Sequence, residues 1–404
     1  MLRSTCHNVL ILTYWAYNDA LVQTYTLPYV RIIKQNLPEG STITVVTQEQ
    51  NLAEIERLKS VNDTDFKLKP MLYTSFGFKA MWRLNKMIRE LTKFVQQNKV
   101  KSIHAWCTPA GAIAHFLHRK TKVRLIIDSF EPHAESMVEN GTWKRNSIAF
   151  KILWSLEKRQ AKSAEHLITL TNSMKDYART KYNCKNPNFH VKSAAVNLEL
   201  FDRSKYPSIK KELGIKPHTI VCIYAGKIGG IYLEDEVFVF WKHCSLIFED
   251  FKVIFLSNYS NNEFQQKLKL HGLDESTVIK KFVSYTEVPK YMAQADFAIN
   301  PVKPVPTKRH CTSIKDGEYW AMGLPVVITK DISDDSALIS DTNLGVVIEN
   351  YNEEGLKKAA LKIKDMLLSE VDHADRIRSL AIRYRNIESQ KSIYELIYSK
   401  NNQG

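Results

Sequence analysis

The sequence of 404 residues lacks the patterns that mark several protein classes. Its six cysteines are scattered without C-x-x-C spacing, so the sequence predicts neither a zinc site nor a disulfide framework. Its apolar runs are short, and none approaches the roughly 20 residues that a membrane-spanning helix needs. We therefore expect reduced thiols and a chain that is soluble or peripheral to a membrane.

Familiar nucleotide-binding and nucleic-acid-binding motifs are absent as well. The sequence has no G-x-x-x-x-G-K-[ST] phosphate loop and no G-x-G-x-x-G fingerprint, and no RRM, KH or helix-turn-helix pattern is recognisable. Yet 57 Lys and Arg residues against 43 Asp and Glu residues give a net charge of +14. Such an excess implies an anionic partner such as nucleic acid, an acidic lipid or a phosphorylated substrate, and the charge alone does not say which. The missing motifs argue against nucleic acid.

Alternating strand and helix patterns predict a parallel α/β fold. Runs that are typical of strands occur at residues 8–14, 43–46, 67–69, 102–105, 123–127, 166–170 and 189–191, and again at 219–225, 252–256, 278–282, 296–300 and 326–328. Helical stretches separate several of these runs, which favours doubly wound parallel sheets. Because single cores stop growing near about 250–300 residues, the chain is expected to form at least two domains.

The segment 301–329 combines a loop, a short helix and a buried strand. Ser313 and Asp316 have the spacing of a capping box, which predicts the start of the helix. Lys315 and Glu318 are three positions apart, so they share one face of this helix. A cation and a carboxylate there suit the phosphate and the ribose of a nucleotide, whereas the spacing alone favours a solvated salt bridge.

The same segment resembles the nucleotide-sugar motif of family 4 of the GT-B glycosyltransferases, which reads K-x-x-E-Y-x-A-x-G-x-P-V-V after a proline or serine. The matching residues are Lys315, Glu318, Tyr319, Ala321, Gly323, Pro325, Val326 and Val327. Many relatives carry another glutamate eight positions before the ribose-binding one, and His310 stands there in this sequence.

This resemblance implies the GT-B fold, in which two doubly wound Rossmann-like domains face a central cleft. Residues 1–197 would form the acceptor-binding domain and residues 198–380 the domain that binds the nucleotide sugar. A C-terminal helix at residues 381–404 is expected to cross back to the first domain.

Several residues of the second domain are expected to bind the donor. They are Gly226, Lys227, Ser284, Tyr285, His310, Lys315 and Glu318. The small residues at 226–230, between a strand and a helix, allow the backbone to approach a phosphate, and Lys227 adds its charge. A G-K pair at this place contacts the donor diphosphate in the family, and the segment 283–287 lies where relatives hold the base. Lys315 is expected to supply the second phosphate contact.

A second polar segment, residues 128–141, directly follows the predicted strand 123–127. Ligands of parallel sheets bind at the carboxyl ends of the strands. The segment resembles the family's R-D-x-x-P-E-S, with Glu131 in the place of the aspartate. A lone histidine is more often structural than catalytic, but its position after a strand makes His133 a candidate. The acceptor-binding candidates are Tyr17, Asn18, Glu131, His133 and Glu135, and the catalytic candidates are Lys227, Lys315, His133 and Glu131.

The helical stretch 142–162 interleaves tryptophans with basic residues. Such a surface suits an anionic membrane interface, although an ordinary amphipathic helix against a sheet also fits and is the commoner case. On the first interpretation the membrane-facing residues are Trp143, Lys144, Arg145, Lys151 and Trp154. We therefore expect a cytoplasmic protein that associates peripherally with the inner face of the plasma membrane.

The resemblance implies a retaining, metal-independent transfer of a hexosyl unit from a nucleotide-diphosphate sugar to a saccharide or lipid-linked saccharide, as in bacterial envelope polysaccharide synthesis. No cofactor is expected beside this donor substrate. Asp63 and Asp65 fit the D-x-D pattern of metal-dependent GT-A enzymes, but such pairs occur often by chance. A nucleotide-sugar 2-epimerase of the same architecture is an alternative, as is a non-catalytic protein that binds nucleic acid or membranes.

Overall fold

The computed structural model describes residues 6–19, 21–73, 81–369 and 372–399. The chain divides into two compact units: unit 1 comprises Met1–Ser193 with Gln390–Gly404, and unit 2 comprises Ala194–Ser389. The boundaries expected from the sequence lie after residues 197 and 380, whereas the chain leaves unit 1 after Ser193 and returns to it after Ser389.

Unit 1 is built on a seven-stranded parallel sheet with the strand order β3-β2-β1-β4-β5-β6-β7. The strands are β1 (Asn8–Leu12), β2 (Ile43–Glu49), β3 (Lys67–Leu72), β4 (Val100–Trp106), β5 (Arg124–Phe130), β6 (His166–Thr169) and β7 (Phe189–Val191). The helices up to this point are α1 (Leu27–Asn36), α2 (Leu52–Leu58), α3 (Met81–Gln97), α4 (Thr108–Thr121), α5 (His133–Glu139), α6 (Ile148–Ser163) and α7 (Ser173–Tyr182).

Unit 2 is built on a six-stranded parallel sheet with the strand order β10-β9-β8-β11-β12-β13. The strands are β8 (Ile220–Ala225), β9 (Phe251–Leu256), β10 (Val278–Lys281), β11 (Phe297–Asn300), β12 (Val326–Thr329) and β13 (Gly345–Ile348). The helices are α8 (Asp235–Ile247), α9 (Asn261–His271), α10 (Val288–Met292), α11 (Ile314–Ala321), α12 (Asp335–Thr342), α13 (Glu353–Leu368) and α14 (Ala374–Tyr384).

Both sheets are parallel, and in both the strand order reverses next to the first strand of the unit, as in doubly wound folds. The predicted class of fold is therefore confirmed. Strands buried on both faces explain the continuous apolar runs: every residue of β12 is buried, and so is every residue of β5 after Arg124. The sequence analysis missed β13, whose four residues begin with a glycine.

A buried ion pair stabilises the carboxyl edge of the unit 1 sheet. Nζ of Lys192 lies 2.8 Å from Oδ1 of Asp128, and both side chains are fully buried. Although burial raises the pKa of Asp128, the charge of Lys192 and a hydrogen bond with His104 hold that pKa below its ordinary value. Nζ of Lys192 also lies over the ring of Tyr29, 3.9 Å from its centroid, and donates to the Tyr394 hydroxyl at 2.7 Å.

The C-terminal residues complete unit 1 through the helix α15 (Ile387–Tyr398). The helix expected at residues 381–404 begins later than expected, at Ile387, because residues 381–384 belong to α14, which ends at Tyr384. The break has a backbone cause, since Asn386 forms a parallel bridge with Val196 and the carbonyl of Arg385 accepts from the Val196 N–H at 2.8 Å. Residue 400 lies outside the described residues.

Across the described residues, no helix combines the length and the apolar character that a membrane crossing requires.

Candidate active site

Helix α11 carries the two residues that the sequence singles out, and it follows the carboxyl end of β11 after a loop. Ser313 stands at its N-cap, but its side chain makes no capping hydrogen bond. The expected capping box is wrong because the Asp316 side chain is fully buried and its Oδ1 accepts from Nδ2 of Asn300 at 2.7 Å. The helix start is therefore fixed by contacts with β11 rather than by a local cap.

Glu318 is a buried carboxylate with one hydroxyl partner. Its side chain lies on α11 with 6% of the residue exposed, and Oε1 accepts from the Tyr285 hydroxyl at 3.0 Å. Burial raises the pKa of Glu318 to about 7, although the hydrogen bond from Tyr285 and the charge of Lys315 act in the opposite direction. The carboxyl group is thus held near the midpoint of its titration at neutral pH.

Lys315 lies one turn before Glu318 and contacts the loop that follows β8. Its Nζ donates to the Tyr232 hydroxyl at 2.7 Å and lies 4.3 Å from the centroid of the same ring. A Cβ added to Gly226 would overlap Cε of Lys315, so a larger residue at position 226 would displace the end of the Lys315 side chain. The two groups predicted to contact a diphosphate, the Gly226 loop and Lys315, are therefore in contact.

Two tyrosines hold the loop at residues 226–230 against the rest of unit 2. The Tyr224 hydroxyl donates to the carbonyl of Lys227, and the N–H of Ala225 donates to the hydroxyl of Tyr319 at 3.1 Å. Since Tyr319 belongs to α11, this bond ties the helix to the end of β8, directly before the loop. The side chain of Lys227 is exposed.

The predicted salt bridge between Lys315 and Glu318 is not among the ion pairs of the described residues, since each side chain has a tyrosine partner instead. Ser284 caps the short 3-10 helix Tyr285–Glu287 in a capping box, in which the Ser284 N–H donates to Oε2 of Glu287 at 3.2 Å. His310 is half-buried at the end of the 3-10 helix Pro306–His310. Ser284 and Tyr285, which are expected to lie near the base, thus make structural contacts within the protein.

In unit 1, Glu131 and His133 form a pair at the carboxyl end of β5. Nδ1 of His133 lies 2.9 Å from Oε1 of Glu131, and both side chains are partly exposed. The carbonyl of Glu131 accepts from the Thr108 hydroxyl at 2.9 Å, which fixes the backbone at the start of α4 and α5. Since a carboxylate oxygen can only accept, Nδ1 of His133 carries the proton in this contact.

A buried glutamate supports the helix that His133 begins. Oε1 of Glu157 accepts from the N–H of Ala134 at 2.7 Å, and Oε2 accepts from the Tyr182 hydroxyl at 2.7 Å. Burial raises the pKa of Glu157 to about 8, although these hydrogen bonds lower it.

The remaining acceptor candidates lie in different surroundings. Nη1 of Arg145 donates to Oε1 of Glu135 at 3.3 Å, so this carboxylate is engaged in an ion pair. The backbone N–H of Tyr17 donates to Oε1 of Glu49 at 3.0 Å, and Asn18 is exposed in the same loop. Tyr17 and Asn18 follow β1, whereas Glu135 belongs to α5.

The membrane interpretation requires exposed tryptophans, but Trp143, just before α6, and Trp154, within it, are both partly buried. Trp154 packs against the main core of unit 1, with its ring 5.8 Å from that of Tyr182, and Trp143 packs against a small cluster around Phe150. Within α6, helical periodicity turns the Trp154 indole toward the core and leaves Ile148 exposed. The other exposed residues around the start of α6 are Lys144, Arg145, Lys151 and Ile152, and together with Ile148 they form the α6 surface.

The D-x-D pair is also occupied within the protein. Nη2 of Arg31 lies 3.3 Å from Oδ2 of Asp63, and Nε of the same arginine lies 3.4 Å from Oδ2 of Asp65. An arginine shared by the two carboxylates is a structural explanation of the pattern.

Residues 220–365, which hold the Gly226 loop, Lys315 and Glu318, match the sequence family described as "Glycosyl transferases group 1". This part of the chain has the sequence of a group 1 glycosyltransferase. This is the family whose motif the segment 301–329 resembles, so the predicted family and enzyme class are confirmed. No curated protein matches this glycosyltransferase in sequence.

Solved structures resemble this glycosyltransferase over almost their whole length. A glycosyltransferase from Rickettsia africae ESF-5 has a TM-score of 0.73 at 13% identity, covering 99% of this chain and 100% of that one. WaaG, described as a glycosyltransferase involved in lipopolysaccharide biosynthesis, has a TM-score of 0.69 at 16% identity and coverages of 98% and 100%. Anabaena Alr3699/HepE in complex with UDP-glucose has a TM-score of 0.68 at 13% identity and coverages of 96% and 99%. At these identities the likeness establishes the fold, and the predicted GT-B fold is confirmed.

Sequence reasoning missed several residues that hold the candidate residues of each unit in place. They are Thr108, Glu157, Tyr232, Asn300, Asp335 and Arg385. Each acts through a contact with a residue distant in sequence, so the local spacing carried no signal for it.

The hydrogen bond between Tyr285 and Glu318 can be tested by titration. Tyr285→Phe is expected to raise the pKa of Glu318 above its value of about 7 by about 1 unit, because that bond favours the ionised carboxylate. NMR of protein labelled with ¹³C at the glutamate carboxyl carbons would follow the titration, with Glu318→Gln to assign the resonance. Tyr351→Phe is the control, because Tyr351 packs against a core cluster that contains neither Tyr285 nor Glu318. An unchanged or lower pKa in Tyr285→Phe would contradict the hydrogen bond.

Proposed function

We propose that unit 2 binds a nucleotide-diphosphate sugar through the Gly226 loop and helix α11. The proposal rests on one observation: α11 presents a buried carboxylate, Glu318, one turn from a lysine that lies against a glycine loop. The loop backbone with Lys227 and Lys315 would bind the diphosphate, and Glu318 would accept hydrogen bonds from the ribose hydroxyls. Tyr285 then shares the Glu318 carboxylate with the ribose, and Ser284 and His310 are the further donor contacts.

The reaction that this arrangement supports is transfer of a hexosyl unit with retention of configuration. The bond between the anomeric carbon and the diphosphate oxygen breaks, and the acceptor oxygen bonds to the same face of that carbon. The acceptor proton passes to the leaving phosphate, so no strong protein base is required. Lys227 and Lys315 stabilise the negative charge that grows on the leaving group, which is the role a metal ion has in other enzymes.

The acceptor in this proposal is a saccharide or a lipid-linked saccharide that unit 1 binds. Oε1 of Glu131 lies 2.9 Å from Nδ1 of His133, and this contact restricts the orientation of the imidazole. Glu135, Tyr17 and Asn18 are the further acceptor contacts. The net charge of +14 suits an acceptor with anionic groups. WaaG, a structural neighbour, is described as acting in lipopolysaccharide biosynthesis, and this agrees with an envelope saccharide as the acceptor.

An enzyme that uses a lipid-linked acceptor must reach the membrane surface, and the residues around the start of α6 are suited to docking there. Ile148 is 76% exposed and Ile152 is 45% exposed, and they are accompanied by the exposed Lys144, Arg145 and Lys151. Apolar side chains among basic ones are typical of a surface that docks on anionic headgroups. In this form of the proposal the isoleucines, rather than Trp143 and Trp154, enter the interface.

The donor site predicts a loss of nucleotide affinity in Glu318→Ala. The variant is expected to bind a nucleoside diphosphate about 1.5–3 kcal/mol more weakly, the range for hydrogen bonds to a charged group. Since the ionised form of Glu318 populates above its pKa of about 7, the wild-type affinity should fall as the pH drops below this value, and the variant should lose that dependence. Calorimetry with UDP, GDP and ADP is the measurement, with Asp365→Ala as a control at an exposed carboxylate of the same unit. Equal affinities of Glu318→Ala and wild type for the nucleotide that binds would remove Glu318 from the site.

The role of Lys227 predicts a kinetic effect that is larger on turnover than on substrate affinity. Charge on the diphosphate grows toward the transition state, so Lys227→Ala should lower kcat by a larger factor than it raises the donor KM. Steady-state kinetics with the accepted nucleotide sugar is the measurement. Lys227→Arg, which keeps the charge, is the matched variant. A change in KM alone would contradict this role, and a rate that EDTA abolishes and manganese restores would contradict the metal-independent mechanism.

The α6 surface predicts salt-sensitive binding to anionic vesicles. Each basic residue near the headgroups contributes on the order of 1 kcal/mol, screened over roughly 8–10 Å in physiological salt, so binding should fall as salt rises. Co-sedimentation with phosphatidylglycerol vesicles would compare wild type with Lys144→Glu/Arg145→Glu/Lys151→Glu at low and high salt. The control Lys357→Glu/Lys358→Glu/Lys362→Glu changes the net charge equally at exposed positions of unit 2. Equal losses in both triple variants would mean that net charge, not the α6 surface, governs binding.

A further inference from the structure

The guanidinium of Arg385 is the centre of a buried polar cluster behind helix α11. Arg385 follows the last residue of α14 and is 1% exposed. Its Nη2 lies 2.5 Å from both carboxylate oxygens of Asp335, and its Nη1 donates to the Thr312 hydroxyl just before α11. Its backbone is fixed as well, because its carbonyl accepts from the Val196 N–H.

A second buried carboxyl group, that of Asp316, adjoins this ion pair. Its Oδ1 accepts from Asn300, whereas its Oδ2 receives no hydrogen bond from a donor among the described residues. Asp316 lies close enough to Asp335 for a hydrogen bond between the two carboxyl groups. Two carboxylates and one guanidinium leave a net negative charge in a fully buried cluster, and neither carboxylate can donate to the other. A single proton removes both problems.

The groups that face this pair point to the same conclusion. Asp316 is faced by Asp335 from α12, by Arg385 from the end of α14 and by Asn300 from β11, with the Tyr319 hydroxyl on its own helix nearby. Asp334 adds further negative charge beside Asp335. Burial, followed by the neighbouring carboxyl group, raises the pKa of Asp316 well above its ordinary value, and burial also raises the pKa of Asp335.

We propose that Asp316 and Asp335 share one proton and that this pair, together with Arg385, sets the position of the nucleotide-binding face of α11. The three are positioning residues, because they act through the helix rather than on the ligand. The inference rests on the proposed function, since it takes the opposite face of α11 to be the donor site.

The packing of α11 explains how the cluster acts on the site. A Cβ added to Gly317 would lie 3.1 Å from Cγ of Arg385, and the guanidinium lies 5.4 Å from the centroid of the Trp320 ring. Residues 316, 317 and 320 therefore fix one side of the helix against Arg385. Lys315 and Glu318 belong to the same eight-residue helix, so a shift of its position displaces both of them. Displacements near 1 Å are enough to impair a bound substrate's alignment.

Asp316→Asn is the informative variant because its amide reproduces the protonated acid. The amide N–H₂ can donate to Asp335 while the amide oxygen still accepts from Asn300. Asp316→Leu has a similar size but can make neither bond. The exposed Asp365→Asn is the control for the loss of a carboxyl group.

The first measurement is infrared difference spectroscopy of the full chain without ligand at neutral pH. A protonated carboxylic acid has a C=O stretching band that a carboxylate lacks. Glu157 and Glu318, whose pKa values are about 8 and about 7, contribute to this band in every variant. We therefore expect the band to be equally strong in wild type and in Asp365→Asn, and to be weaker by the contribution of one acid in Asp316→Asn. Identical bands in wild type and Asp316→Asn would overturn the shared proton. This readout does not depend on nucleotide binding, and a merely structural role of an ionised Asp316 would not produce it.

The second measurement is calorimetry with UDP, GDP and ADP, with folding checked by circular dichroism. Asp316→Asn is expected to bind the nucleotide within about twofold of wild type, and Asp316→Leu at least about tenfold more weakly. An Asn variant as weak as the Leu variant, or a Leu variant as tight as wild type, would overturn the positioning role. Glu318→Ala is measured in parallel. Binding of that variant as tightly as wild type would refute the proposed function, while the infrared band would still decide whether the pair shares a proton.

Discussion

The position of helix α11 is the constraint on which the candidate donor site depends. This helix has eight residues, and all but the first two are buried, including the two carboxyl groups of Asp316 and Glu318. Glu318 is tied to Tyr285, while Asp316 is tied to Asn300 and adjoins Asp335. Since a buried carboxyl group without a partner is costly, each of these contacts restricts where the helix can lie. Fixed polar contacts on both sides are what a preorganised site requires.

Unit 1 uses buried polar groups in the same way at its own carboxyl edge. Glu157 accepts from the N–H of Ala134 in the first turn of α5, and Thr108 bonds to the backbone of Glu131. The Glu131–His133 pair is therefore carried by a segment with fixed main-chain contacts. Deeper in the unit, Lys192 joins Asp128 to the C-terminal helix through Tyr394. In both units the exposed candidate residues are carried by elements whose buried sides are held by ionisable or hydroxyl groups.

Local patterns in the sequence predicted every strand of the two sheets except β13, but they did not predict the contacts around the site. Strands such as β12 were predictable because burial on both faces demands a continuous apolar run. Lys315 and Glu318 were recognisable from their spacing together with the resemblance to family 4. The contact of Lys315 with Tyr232 joins residues 83 positions apart, and that of Arg385 with Asp335 joins residues 50 apart, so only the fold brings them together. Asp316 was misread as a capping residue for the same reason. Trp154 was expected to face a membrane but packs on the core, because periodicity does not tell which face of a helix meets the core.

The most direct test of this account is a crystal structure of the protein with the nucleoside diphosphate that it binds. The account predicts that the diphosphate contacts the backbone of residues 226–230 and Nζ of Lys315, and that the ribose hydroxyls donate to the carboxylate of Glu318. It also predicts that α11 keeps its contacts with Arg385. A nucleotide whose ribose lies away from Glu318, or whose phosphates do not approach the Gly226 loop, would contradict the account.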